Sequence, residues 1–248
     1  MSLFVTGVRH EGTPEGTFEE IAGIRCYVAE PAGEYSKSGA VVYFSDACGL
    51  SLPNNLLLCD DFARNGFLVV APDLFAGDDV PISAFESGVA VKAFGRERWL
   101  ALHTPAHTFA RVKPVFDALR ARGVKRIAGT GYCYGGRLVF DFAIAGALDA
   151  AARYARTARA PLLVNACEID REFPPTMQSA VRELLAGFEP GFKQECFAGC
   201  SHGFAIRGDL SIPRVKQGKE DAFTNTVQWF KTYLDGKRLL RTHTNARM

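Results

Sequence analysis

Gly131-Tyr132-Cys133-Tyr134-Gly135-Gly136 is the stretch on which the fold of this chain turns. It follows a strand-like run, Arg126 to Gly131, and opens onto a helical pattern from about Gly135 to Ala145. A strand that turns at once into a helix strains the backbone of the corner residue, and the residues two positions to either side must be small. The corner holds the Cys133 side chain out at the top of a sheet. It also leaves the backbone N–H of Tyr134 at a helix N-terminus, facing any oxyanion that develops there. The same helix end favours a thiolate. Cysteine is often simply buried, but glycine flanks in a strand–helix context make Cys133 the candidate nucleophile.

Outward from the corner, strands and helices alternate. Gly23 to Ala29 reads as an edge strand, and Ala40-Val41-Val42-Tyr43-Phe44 and Phe67 to Ala71 read as strands buried on both faces. Further strands are expected at Pro161 to Asn165 and Phe192 to Phe197, with a short one around Ala151–Tyr154. Helical patterns run from Pro53 to Asn65 and from Arg96 to Arg122, the latter broken or offset near Pro105 and Pro114. Two more follow Pro174-Pro175 to about Ala186 and span Lys219 to about Leu234. The order predicts an α/β fold with a mainly parallel central sheet and helices on both faces. In such folds ligands bind at the carboxyl ends of the strands.

Composition sets the outer bounds. The 248 residues fit one domain, with segments 1–22 and 236–248 peripheral to it. A formal charge of +2 is too small to argue for a nucleic-acid partner, and none is expected; Lys237, Arg238 and Arg241 read as a solvated tail. There is no signal-peptide pattern, and no apolar run nears the roughly 18 residues of a membrane helix. Seven cysteines, an odd number mostly in apolar segments, suit reduced thiols in the cytoplasm.

A thiol nucleophile needs a base, and the base an orienting acid. Among five histidines, His202 follows the strand Phe192 to Phe197, at the edge where a catalytic base belongs, whereas His10, His103, His107 and His243 do not. The acid belongs between nucleophile and base in chain order. Glu168 and Asp170 both follow the strand Pro161 to Asn165, and strand position alone does not choose between them.

These segments resemble the dienelactone hydrolase family of α/β-hydrolases, in its eukaryotic-type form. The resemblance rests on the corner around Cys133, on Asp170-Arg171-Glu172-Phe173-Pro174, on His202-Gly203-Phe204, and on Ala71-Pro72-Asp73-Leu74-Phe75. The N-terminal stretch Gly7 to Pro31 is similar as well, so the likeness spans about Gly7 to Leu234. It implies Cys133 as nucleophile, Asp170 as acid and His202 as base, with the Ala47 N–H as second oxyanion donor beside Tyr134. Family members carry a glutamate that gates the nucleophile. Asp46 stands in its place, one methylene shorter and so reaching about 1.5 Å less far. Arg207 resembles an arginine that binds a substrate carboxylate, and Phe75 and Phe204, with Tyr132, Tyr134 and Trp99, would line the pocket. The implied activity is hydrolysis of a small-molecule ester or lactone through a thioester, without cofactor or metal, by a monomer or weak homodimer.

Two other classes compete. Cys196 and Cys200 with Cys167 would form a metal or redox site, but a spacing of four is loose for zinc. A silent scaffold that binds a ligand or partner is the other, since fold alone does not guarantee chemistry. A thioesterase or carboxylesterase with a different substrate is the nearer alternative.

Overall fold

The computed structural model describes residues 5–86, 94–145 and 160–234. The strand expected around Ala151–Tyr154 and the basic tail lie outside them. Five strands form one sheet in the order β1-β2-β4-β3-β5: β1 Thr17–Ile21, β2 Ile24–Ala29, β3 Gly39–Phe44, β4 Leu68–Pro72 and β5 Arg126–Gly131. β3 pairs in parallel with both β4 and β5, while β1–β2 and β2–β4 are antiparallel. β6 Leu162–Ile169 and β7 Phe192–Ser201 form a separate parallel pair. The sheet is thus parallel around the Cys133 corner and antiparallel at its N-terminal edge.

The apolar run of β3 follows from burial on both sides. Ala40, Val42 and Phe44 point into one core layer with Val112, Phe116, Leu138 and Phe142. Val41 and Tyr43 point into the opposite layer with Phe62, Phe223, Val227 and Phe230. The first layer is covered by α4 Pro105–Ala121 and α5 Tyr134–Ile144, where Phe116 and Phe142 stack at 4.4 Å between ring centroids. The second is covered by α1 Pro53–Arg64 and α8 Pro213–Leu234. α8 also links the two sheets, because Asn165 of β6 donates to Ala222 O and Thr226 Oγ1 on it. Full burial of one such phenylalanine is worth roughly 1.5–3 kcal/mol.

The expected helical stretch Arg96 to Arg122 is two helices, α3 Arg96–Leu102 and α4. The break falls at Thr104-Pro105: Thr104 caps α4 by accepting from His107 N, and Pro105 takes the first turn. Pro114 sits inside α4 without ending it. Two short helices, α2 Ser83–Glu86 and α7 Phe204–Arg207, flank the corner, and α6 Pro175–Leu184 follows the acid segment. The last helix starts at Pro213, six residues before the expected Lys219. No helix among the described residues is long and apolar enough to cross a membrane.

Candidate active site

Cys133 adopts φ 53° and ψ −114° between the end of β5 and the start of α5. A Cβ on Gly135 would lie 2.2 Å from Phe44 O, and one on Gly131 would lie 2.3 Å from Gly135 O. Both flanking positions therefore require glycine, Gly135 because the corner packs directly on the end of β3 and Gly131 because the first turn of α5 passes over it. Gly135→Ala should destabilise the fold by about 1–3 kcal/mol or more, through a backbone clash with no flexible neighbour to yield. Urea denaturation measures it; a midpoint equal to the wild type would show that β3 gives way. Tyr134 is the first residue of α5, so its N–H has no acceptor within the helix.

The base and acid reach Cys133 through β6 and β7. The ladder runs Cys167↔Phe197 and then Ile169↔Ser201, so β7 carries extra residues around Gly199, which has φ 74°. Bulges of this kind re-aim side chains beside active sites. Here the bulge brings His202 level with the end of β6, where its N–H donates to Ile169 O at 3.0 Å. His202 Nε2 lies 3.0 Å from Cys133 Sγ, and Nδ1 lies 2.9 and 3.0 Å from the two oxygens of Asp170. Asp170 Oδ1 also accepts from the N–H groups of Glu172 and Phe173, at 2.8 and 3.0 Å. Glu168, the other acid considered, accepts instead from Gly199 N on the exposed side.

Charge follows this geometry. The hydrogen bond to Cys133 pushes the His202 imidazole up from its ordinary 6.5 to about 9; Asp170 adds to the rise and desolvation opposes it. Burial pushes the Asp170 carboxyl up, but the hydrogen bond and charge of His202 and the two backbone donors outweigh it and hold it below its ordinary value. Cys167, which the sequence offered as a metal ligand, donates from Sγ to Asp170 Oδ2 at 3.6 Å, and burial pushes its thiol up to about 12. Cys200 donates to Arg214 O, Cys196 is exposed, and the seven cysteines are all free. Among the described residues no group of three or more His, Cys, Asp or Glu is placed to hold a metal ion.

Asp46, expected to touch the nucleophile, is directed elsewhere. Its Oδ2 accepts from Arg207 Nε at 2.7 Å, and its Oδ1 accepts from Cys48 N at 3.1 Å and Asn55 Nδ2 at 3.0 Å. Tyr43 OH in turn donates to Asn55 Oδ1 at 2.7 Å, completing a buried chain that sequence patterning did not single out. No hydrogen bond joins Asp46 to Cys133 among the described residues. The shorter aspartate side chain fits an arrangement in which Arg207 comes to it. Arg207 and Ala47 line the cleft beside Cys133 together with Trp99 and Tyr134. Phe75 does not line it: at 1% exposure it packs behind the wall, against Trp99, His103 and Tyr134. Phe204 lines instead a smaller cavity that shares Cys133 and His202 with the cleft, and Tyr132 lines it too. The cleft residues Phe85 and Phe94 were not found in the sequence, since they carry no motif and lie far from the corner in the chain.

A strand–corner–helix turn with acid and base at the ends of later strands defines an α/β-hydrolase. Solved structures share the fold. A putative dienelactone hydrolase from Klebsiella pneumoniae superposes with a TM-score of 0.65 at 18% identity, covering 88% of this chain and 98% of that one. A dienelactone hydrolase-like promiscuous phosphotriesterase from metagenomic libraries does so at 0.62 and 20% identity, covering 88% and 97%. The chain belongs to the dienelactone hydrolase family, whose sequence profile matches residues 24–234. Its relatives include hydrolase pyvD of Aspergillus violaceofuscus, 35% identical over 93% of this chain and 95% of that protein. Dienlactone hydrolase 2 of Gibberella moniliformis is 31% identical over 93% and 94%. The protein is accordingly a hydrolase of carboxylic esters with a small-molecule substrate.

Proposed function

We propose that the chain is a cysteine-dependent ester or lactone hydrolase that works through a thioester on Cys133. The observation that carries this is the unbroken line Asp170–His202–Cys133, with 2.9 Å and 3.0 Å at its two joints. Cys133 Sγ attacks the carbonyl carbon while the N–H groups of Tyr134 and Ala47 receive the oxyanion. His202, held in orientation by Asp170, gives its proton to the leaving alkoxide. His202 then takes a proton from water, which attacks the thioester, releases the acid and restores the thiolate. Asp46 acts in this scheme through Arg207 rather than on Cys133. The odd number of cysteines, mostly in apolar segments, supports action in a reducing compartment such as the cytoplasm.

The test is to catch the intermediate. Acid quenching during turnover of an activated ester should leave the acyl mass on the peptide containing Cys133, labile to hydroxylamine. Label on another residue, or none during a measured burst, would refute the thioester.

A further inference from the structure

The loop between β6 and α6 carries Asp170, and its carboxylate is held at both oxygens. Oδ1 accepts from Phe173 N at 3.0 Å, and Oδ2 accepts from Cys167 Sγ at 3.6 Å. These two residues stand three positions after the acid and three before it, one on each arm of the loop. The same two residues share a further partner. Gln178 Nε2 donates to Cys167 O and to Phe173 O, both at 2.9 Å. Both contacts end on carbonyl oxygens, which fixes the amide with its NH2 group toward the loop. One side-chain amide thus ties together the residues that hold the two oxygens of the acid.

Gln178 is brought to this place by α6. Its N–H donates to Pro174 O at 3.0 Å, and its carbonyl accepts from Gln194 Nε2 of β7 at 3.2 Å. With Val181 it forms the buried face of the helix, where packing alone would be better served by an apolar side chain. At 4% exposure it is shielded from bulk water, so loss of its NH2 group takes from both carbonyls a donor that solvent does not replace. The effect is passed on to the base. Nδ1 of His202 lies 2.9 and 3.0 Å from the two Asp170 oxygens, so a carboxylate free to turn loosens the bond that orients the imidazole.

We propose that Gln178 is a positioning residue for the hydrolysis: by tying Cys167 to Phe173 it fixes the Asp170 carboxylate at the angle that orients His202. The proposal rests on the reading of Cys133, His202 and Asp170 as nucleophile, base and acid.

The experiment uses the purified full chain and an activated ester. Gln178→Met and Gln178→Leu keep the bulk of the side chain and remove both donors. In either, kcat should fall about 10- to 100-fold while KM stays within about twofold of wild type. The alkaline limb of kcat/KM, and the His202 ring followed by NMR, should both move to lower pH. The reason is that the imidazole, raised first by Cys133, is raised also by Asp170. Leu185→Ala is the control: it opens a cavity in the apolar cluster at the far end of α6 and removes no hydrogen bond from the loop. It should lower the thermal midpoint with neither the loss of kcat nor the pH shift. A measurement on the wild type needs no variant. The side-chain NH2 protons of Gln178 should exchange with solvent at least about tenfold more slowly than those of the exposed Gln228. Exchange as fast as at Gln228 overturns the proposal. So do wild-type kcat and His202 titration in the Gln178 variants, or the same losses in Leu185→Ala. Cys133→Ala is assayed alongside. Activity that survives in it overturns the nucleophile reading, whereas activity that needs Cys133 but not Gln178 overturns this inference alone.

Discussion

Cys133→Ala is expected to lower kcat/KM on an activated ester by on the order of 10⁴- to 10⁶-fold, with the fold intact. His202→Ala should cost a similar factor, and the double variant little more, since groups that act as a unit are not additive. Their 3.0 Å contact is the physical reason: without the imidazole the sulfur loses its proton partner, and without the sulfur the imidazole has nothing to activate. Steady-state kinetics on the three variants measure this, and losses that multiply would show that the two residues act separately. The pH dependence follows from the same contact. A histidine raised from 6.5 to about 9 contributes stability that is fully present below 6.5 and disappears as pH rises through about 9. The imidazolium needed to protonate the leaving group disappears over the same range, so kcat/KM should fall on an alkaline limb near pH 9. In Cys133→Ala the largest cause of the rise is gone. The His202 ring, followed by NMR, should then titrate at lower pH than in the wild type. An unchanged titration would mean that Asp170 alone sets it.

The parts of the protein that were legible in sequence are those with local causes. The corner at Cys133 needs only a strand, two glycines and a helix start within a few residues, and each was visible. β3 was visible because burial on both faces leaves a continuous apolar run. β1 was not, because Thr17-Phe18-Glu19-Glu20-Ile21 is exposed except at Ile21 and shows no apolar face. The early start of α8 was signalled by Pro213 alone, in a turn that is largely exposed and so lacks apolar periodicity. The choice of Asp170 over Glu168 came from resemblance; the structural cause is the β7 bulge, which no short-range pattern announces. Least legible was the pairing of Asp46 with Arg207, which joins positions 161 residues apart. Chain order placed both near the site, but only the packed structure shows that they neutralise each other.

That pairing carries the second large effect. Asp46→Ala should destabilise the fold by about 3–5 kcal/mol, because it strands the Arg207 charge in a site where its side chain is only 13% exposed. Cys48 N and Asn55 Nδ2 lose an acceptor at the same time, which adds to the cost. The double variant Asp46→Asn with Arg207→Met removes both charges and nearly keeps the volume. It should therefore be more stable than Asp46→Ala, despite carrying more changes. Chemical denaturation of the two variants decides the point. If Asp46→Ala lies within about 1 kcal/mol of wild type, Arg207 has found water, and the pair is not what holds this wall together. The functional consequence has the opposite sign. Arg207 lines the cleft, so an arginine freed from Asp46 presents a net positive charge to the substrate. Asp46→Ala, where it folds, should thus raise the rate on a carboxylated ester relative to its neutral parent, while Asp46→Asn with Arg207→Met should not. A relative gain in both would place the effect outside Arg207; a gain in the first alone would show that the buried aspartate masks the Arg207 charge.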